Sequence, residues 1–389
     1  MKKVYKVGVI GLGDISTVYL NNLNNYPEYV QLYACACTSL EKAEKKAKQF
    51  GFQKAYASGD ELIADPEVDI VMNLTVPAMH YYYNLEAIKA GKHVYSEKPF
   101  AATFAQAKEI VDLAKEKGLY CGSAPDTFMG GRIQAFKRFL DEGKVGKLVG
   151  ASAFMMSRGW EWFHPTPEFY YQPGGGPLLD MGPYYLTCLL SLFGPVDSVC
   201  AMQTIGDETR TLQVGPRAGK VVEVSPQVGT HIISNIQFKN GMIVSLSVSF
   251  DVWDSALPRI EIYGTKGTLL MPEEDPCGGP NLFGGEGWFR SKETSRWLYQ
   301  PRREEDLASD WEKIEVKGPH DSVSQAVNSR GIGLVEMAIA IEEGRMNRAS
   351  GEMAVHSLEV MEGILTSAKE KRFVSMNTSF TAPAAFEDI

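Results

Sequence analysis

Cysteine is sparse in this sequence and never paired: six in 389 residues, with no Cys-x-x-Cys and no ligand spacing among the six histidines. That pattern argues against a metal site, and Cys35 and Cys37, alternating along an apolar run, read as small core side chains. Basic charge is also in short supply. The formal net charge is −9, which argues against nucleic acid or an anionic membrane as partner, since either needs a basic face. No apolar run is long enough to span a bilayer. Met1–Lys2–Lys3 runs straight into the first expected strand, with no separate apolar leader, so a cytoplasmic location is expected. Internal repeats and low-complexity segments are lacking too. What is there is ordinary globular composition, 44% hydrophobic and 22% charged, in a chain longer than one core serves. Two domains are therefore expected.

The stretch Lys6–Ser16 organises the first of them. An apolar run meets Gly11-x-Gly13-x-x-Ser16 and passes into a helical pattern, the order that dinucleotide binding requires. Gly11 permits the tight turn, and Gly13 leaves the backbone open to a pyrophosphate. A helix beginning near Asp14 aims its free N–H groups at the phosphates, with Ser16 small enough to keep it against the strand. Ile15, Val18, Tyr19 and Leu23 then recur at helical spacing. Further strands are expected at 30–37, 55–56, 69–75 and 93–96, with a sixth from Leu119. Helices lie between them, ending at Gly51, Gly91 and Gly118. Such alternation requires right-handed crossovers and a doubly wound, mostly parallel sheet over residues 1–124.

From Pro125 the rhythm changes. A helix near Arg132–Leu140 leads into a strand at Leu148–Met156, and a Pro/Gly-rich segment precedes a helix from about Asp180. Strands dominate from Val196, with hairpins at Lys239–Asn240–Gly241 and Gly264–Gly267. Residues 272–287 form a Gly/Pro-dense loop. Helices at about 324–343 and 351–370 close the chain, the second capped by Ser350 with Glu352 and Glu359 outward. Residues 125–389 thus form an α+β domain on a large, mainly antiparallel sheet.

Three constellations carry polar chemistry. Thr75–Val76–Pro77–Ala78–Met79–His80 follows the fourth strand, on the rim that lines the ligand crevice of such sheets. His80 there either faces the nicotinamide half of a cofactor or caps and packs. Glu97–Lys98–Pro99 follows the fifth strand on the same rim, where Pro99 aims Lys98; taken alone, a Glu-Lys pair on a loop is usually only solvated. Gly174–Gly175–Gly176 precedes Asp180 and Tyr184, four apart and so on one helical face. Upstream, Trp160, Trp162, Phe163, His164, Phe169, Tyr170 and Tyr171 form an aromatic loop whose faces suit sugar rings, or which folds on itself.

Together, Gly11-x-Gly13-x-x-Ser16, Thr75–Pro77–His80, Gly91–Lys92–His93–Val94 leading into Glu97–Lys98–Pro99, and Gly175–Gly176-x-x-x-Asp180-x-Gly182 resemble the glucose-fructose oxidoreductase / inositol dehydrogenase / MocA family. The resemblance extends to Gly264–Thr265–Lys266–Gly267–Thr268. It implies an N-terminal Rossmann domain and a C-terminal α/β domain whose open sheet commonly packs on another subunit. It also implies a nicotinamide cofactor and a sugar, polyol or related hydroxy substrate. The family's motif lysine falls on Lys98 and its second-motif aspartate on Asp180. Three positions depart from the family's pattern. Tyr184 replaces the usual histidine, Ala78 an asparagine, and Cys37–Thr38–Ser39 ends the second strand with no acidic residue for the adenosine ribose.

The expected function is NAD(P)-dependent hydride transfer at a ring hydroxyl or carbonyl carbon of a sugar, glycoside or cyclitol. The alternatives are a glycoside-cleaving enzyme using transient ring oxidation and a non-catalytic dinucleotide-binding sensor. Lys98 is assigned to proton transfer or hydroxyl polarisation, Tyr184 to positioning the hydroxyl with a share in the proton, Asp180 to orienting the substrate or Tyr184, and His164 is a reserve base. Gly11, Gly13, Asp14, Ile15, Ser16, Thr75, Pro77, His80, Glu97 and Lys98 are assigned to the cofactor. Thr38, Ser39 and Lys42 lead to the expectation that NADP is accepted alongside NAD. A homodimer or homotetramer is expected, because one sheet face lacks local helix to cover it.

Overall fold

The computed structural model of the protein describes residues 3–272, 284–294, 311–316 and 330–386. The chain forms two compact units, Met1–Met129 with Asn328–Glu359 and Thr378–Ala384, and Gly130–Val327 with Val360–Asn377 and Ala385–Ile389.

In the first unit, β1 (Tyr5–Ile10), β2 (Val30–Ala36), β3 (Lys54–Tyr56), β4 (Ile70–Asn73), β5 (His93–Ser96) and β6 (Cys121–Ser123) make one sheet in the order β3-β2-β1-β4-β5-β6. Every pairing is parallel, and the order reverses direction between β1 and β4. Nucleotide-binding sheets of this kind take ligand at the strand ends beside that reversal. The helices are α1 (Ser16–Leu23), α2 (Leu40–Phe50), α3 (Gly59–Ala64), α4 (Pro77–Lys89) and α5 (Phe104–Glu116). Ser39, Ser58 and Thr103 cap α2, α3 and α5 by accepting a backbone N–H three residues on, which satisfies a donor the helix leaves orphaned. The short α3 is absent from the sequence reading, since six residues give too little periodicity to register. On α1 the buried stripe is Ser16, Tyr19, Leu20 and Leu23; Ile15, expected in it, is 37% exposed.

In the second unit, α6 (Gly131–Asp141) leads into β7 (Leu148–Met156), and α7 spans Pro177–Phe193. The strands β8 (Val196–Thr204), β11 (His231–Phe238), β12 (Ile243–Ser249), β13 (Ile260–Gly264), β14 (Gly267–Met271), β15 (Trp288–Ser291) and β16 (Glu312–Lys313) join β7 and β17 (Val374–Ser375) in a nine-stranded sheet. Between β8 and β11 a two-stranded ribbon pairs β9 (Thr209–Thr211) with β10 (Val221–Glu223). Among the described pairings of the large sheet only β7 with β12 is parallel. Along β11 alternate residues are buried, Ile232, Ser234, Ile236 and Phe238, the period-two pattern of a sheet packed on one face. Both expected hairpins form, with Gln237 opposite Ile243 and Gly264 opposite Gly267.

The remaining helices are α8 (Ile332–Glu343) and α9 (Gly351–Glu370). The expected 324–329 start of the first closing helix, and 273–283 of the Gly/Pro-dense loop, lie outside the described residues. The helix expected from about Asp180 begins a turn earlier, because Pro177 suits a first helical position whose N–H has no partner to lose. Ser350 Oγ does accept from the N–H of Met353, 3.2 Å away. Glu359 is not outward: it is 7% exposed and accepts the backbone N–H of Thr378 at 2.9 Å. Asp126, fully buried, accepts from Gly331 N–H at 2.8 Å and Gly333 N–H at 3.0 Å, which ties the start of α8 to the loop after β6.

Candidate functional site

The turn after β1 is built from main chain. Gly11 has φ +94°, and a Cβ there would lie 2.6 Å from both the carbonyl carbon and oxygen of Leu74, so both conformation and space require glycine. Its N–H donates to Ala36 O at 3.0 Å. A Cβ on Gly13 would meet no atom of the described residues within 4 Å. The exposed Asp14 and Ile15 follow, and among the described residues no side chain caps the N-terminus of α1. Open space over a glycine at an uncapped helix start fits a dinucleotide pyrophosphate. Ser16 is fully buried and its hydroxyl donates to Gly13 O at 2.6 Å, so it closes the turn and packs the helix. At the end of β2, Ser39 is spent on capping α2, while Thr38 and Lys42 are exposed.

The ends of β4 and β5 are joined by polar side chains. Thr75 Oγ1 donates to Asn73 Oδ1 at 2.7 Å, Asn73 Nδ2 donates to Asn84 Oδ1 at 2.9 Å, and Asn84 Nδ2 donates to Phe100 O at 3.0 Å. Pro77 opens α4. His80, in the first turn, is 1% exposed, with Nδ1 2.6 Å from Pro99 O and Nε2 2.9 Å from Thr75 O. It clamps the two loops together, and neither ring nitrogen is left facing open crevice. Glu97 is no solvated partner of Lys98. It is 8% exposed, its Oε1 accepts from Tyr19 Oη at 2.7 Å, and its Oε2 accepts the Lys98 backbone N–H at 2.7 Å. Burial and the Glu97 charge push the Tyr19 phenol well above its ordinary range, so it stays protonated and donates. The α1 helix is thereby fastened to the main chain of half-buried Lys98.

In the second unit Asp180 lies in the first turn of α7 and Tyr184, 6% exposed, one turn further on. The indole Nε1–H of Trp160 donates to Asp180 Oδ2 at 2.6 Å. The aromatic loop interlocks around that indole: ring centroids lie 4.5 Å away for Phe163, 5.7 Å for Tyr170 and 5.6 Å for Phe250. Phe163 and Phe169 remain 59% and 55% exposed, so aromatic surface is left for a ligand. His164 is partly committed, since its Nδ1 accepts the Thr166 N–H at 3.1 Å while its ring meets Phe169 and Tyr170 edge-on.

Sequence reasoning missed the residues behind these groups. Helical spacing marks Tyr19 only as a core position, although its polar tip on a buried helical face needs a partner. Asn73 falls within an apolar strand pattern, and Asn84 carries no motif of its own. Glu161 and Arg210, 5% and 7% exposed, gave no local signal, because their partners are remote in sequence.

A family model described as an oxidoreductase family with an NAD-binding Rossmann fold matches residues 5–124, and that of the GFO/IDH/MocA C-terminal domain matches residues 133–270. The trans-1,2-dihydrobenzene-1,2-diol dehydrogenase of Bos taurus is 31% identical over 284 residues, covering 70% of this chain and 75% of its own. The 1,5-anhydro-D-fructose reductase of Ensifer adhaerens is 27% identical over 261 residues, 64% of this chain and 72% of its own. Levoglucosan dehydrogenase, solved in complex with NADH, has the same fold, with a TM-score of 0.78 over 97% of this chain and 100% of its own at 20% identity. The parallel nucleotide-binding sheet, its glycine corner and these relatives converge: the chain belongs to the glucose-fructose oxidoreductase / inositol dehydrogenase / MocA family of oxidoreductases, and it is an enzyme of the dehydrogenase and reductase kind.

Proposed function

We propose that the protein is an NAD(P)-dependent oxidoreductase acting on a carbon that bears a hydroxyl or carbonyl in a sugar, glycoside or cyclitol. The observation that carries this is the Asp180 carboxylate, held at 2.6 Å by the Trp160 indole beside exposed aromatic rings. A carboxylate accepts sugar hydroxyls while aromatic faces take the apolar C–H face of a ring. The relatives' substrates, a dihydrodiol and an anhydro-sugar, are of the same hydroxylated-ring class.

The nicotinamide supplies the hydride acceptor or donor. Of the chain's own groups, Lys98 takes or returns the hydroxyl proton, its main chain fixed by Glu97. Asp180 orients the substrate, Tyr184 positions the reacting hydroxyl, and His164 is the reserve base. Main-chain N–H groups of Gly13, Asp14 and Ile15 hold the pyrophosphate. His80 sets the distance between the Thr75 and Lys98 loops. With Thr38 and Lys42 exposed and no acidic residue at the end of β2, NADP is accepted alongside NAD. The protein assembles as a homodimer or homotetramer through its large sheet, on which Met202 and its cross-strand partner Ile233 are 81% and 47% exposed.

The test is a panel of levoglucosan, myo-inositol, D-glucose and 1,5-anhydro-D-fructose, assayed with both cofactors. The reading expects a net change in nicotinamide absorbance with at least one panel member, and an NADP Kd within about a hundredfold of that for NAD, roughly 2.7 kcal/mol. Tight dinucleotide binding without turnover across the panel would overturn it in favour of a sensor.

A further inference from the structure

We propose that Arg210, Glu161 and Tyr171 form a buried positioning network that holds the Trp160 indole on Asp180 and so sets the affinity for the substrate ring. The proposal rests on the reading above, in which Asp180 binds that ring.

Arg210 sits in the middle of β9, 7% exposed. One guanidinium nitrogen faces Glu161 Oε1 at 3.4 Å and donates to Phe250 O at 3.2 Å. The other pairs with Asp251, which in turn accepts from Thr230 Oγ1 at 2.5 Å and from Gly206 N–H at 3.1 Å. The arginine is therefore fixed in a fork between two carboxylates, its Cζ 5.2 Å from the centroid of the Tyr171 ring. Glu161 passes that constraint on. It accepts the hydroxyl proton of Tyr171, and the Tyr171 oxygen accepts the backbone N–H of Trp160 at 3.2 Å. Burial, and then Glu161, push the Tyr171 phenol far above its ordinary value, so it remains a donor at any working pH. Gly159 completes the arrangement. With φ +97° and a notional Cβ only 2.6 Å from Tyr171 Oη, the chain is pressed onto the phenol where Trp160 begins. From there the Trp160 indole N–H donates to Asp180 Oδ2.

Stability alone is a poor reason for such a cluster. Removing a guanidinium and two carboxylates from water costs about what their mutual attraction returns, and apolar side chains of similar volume pack as well. Charged, forked partners do supply a fixed direction. Here that direction ends at the main chain of the residue whose indole touches Asp180.

Two readouts test this, one independent of activity. The protein has six tryptophans, so its indole N–H resonances are few, and Trp160→Phe assigns the one that matters. Both Asp180→Asn and Tyr171→Phe are expected to move that resonance. If Tyr171→Phe leaves it in place, the network does not hold the indole and the proposal is overturned; Glu161→Gln serves equally should Tyr171→Phe not fold. In kinetics with NAD and the panel sugar turned over fastest, Trp160→Phe is expected to raise KM about tenfold, as for a lost bond to a charged group. NAD affinity and binding stoichiometry should stay unchanged, whereas a merely structural role would lower the active fraction at constant KM. In an Asp180→Asn background the Trp160→Phe loss should largely vanish. Losses that multiply instead would overturn the network while sparing the Asp180 reading. An Asp180→Asn enzyme with unaltered kinetics would overturn that reading, and with it the network's role in substrate affinity.

Discussion

Under the proposed function, the two units present polar groups to a ligand by opposite means. In the first, the ligand-facing groups are main chain: a glycine forced to φ +94°, a second glycine facing open space, and a helix start that no side chain caps. Side chains there brace loops from behind, as His80, Asn73 and Glu97 do. In the second, the group presented is a side-chain carboxylate, held by an indole that stands on a loop tied to a buried ion cluster. A site made of backbone can be written in a dozen consecutive residues. A site made of braced side chains is assembled from residues that meet only after folding.

That contrast can be broken or sharpened by experiment. The largest effect is expected at Lys98, where side-chain chemistry enters the backbone-built unit: Lys98→Met should lower kcat at least about a hundredfold, the low end for a lost acid or base. Tyr184→Phe should cost less and leave the dissociation constant for the dinucleotide unchanged. If Tyr184→Phe abolished turnover while Lys98→Met merely weakened cofactor binding, the two assignments would be exchanged. Next comes the corner itself. Gly11→Ala combines a left-handed backbone with a clash against Leu74 and should destabilise the first unit by about 3 kcal/mol, read as an earlier transition in urea. A neutral outcome would mean the turn is not as tightly held as the geometry states.

Acid should also act on the first unit. Burial, followed by the nearby Lys3 ammonium, pulls the His93 imidazole from 6.5 to about 4, and its Nδ1 accepts the Tyr120 N–H at 3.0 Å, which requires the neutral ring. Between those values the unfolded chain binds a proton that the folded chain refuses. Stability contributed by this site is therefore complete above pH 6.5 and is lost as pH falls toward 4, by about 2 kcal/mol for a group that keeps some exposure. Urea unfolding of the first unit at pH 7.5 and pH 5 measures it, and His93→Asn, which keeps an acceptor, should flatten the difference. The smallest effect belongs to Asp14 and Ile15. If these positions contribute N–H groups only, Asp14→Ala and Ile15→Ala should each change dinucleotide affinity less than about threefold, and a larger loss would show that side chains matter there.

The sequence made the first unit legible for the same reason. Gly11, Gly13 and the strand-to-helix change of period are local signals, and the six parallel strands follow from strands separated by helices. What it hid there were the side chains braced behind the loops. Tyr19 reaches Glu97 across 78 residues, and His80 could be read as cofactor-facing until Pro99 and Thr75 were seen to occupy its nitrogens. In the second unit the hairpins were legible from Asn240–Gly241 and Gly264–Gly267, and Asp180 with Tyr184 from their four-residue spacing. The Arg210 cluster was not, since its carboxylates lie 49 and 41 residues away and no periodicity marks a residue whose meaning is its distant partners.

The most direct test of the central claim follows the hydrogen. A panel sugar deuterated at its ring carbinol carbons, incubated with NAD or NADP and the enzyme, should yield reduced nicotinamide that carries the deuterium, together with the corresponding ketone. Lys98→Met should suppress both. Reduced nicotinamide without the label, or release of the aglycone from an aryl glycoside supplied in parallel with no net change in the cofactor, would contradict hydride transfer from sugar to nicotinamide as the reaction this enzyme performs.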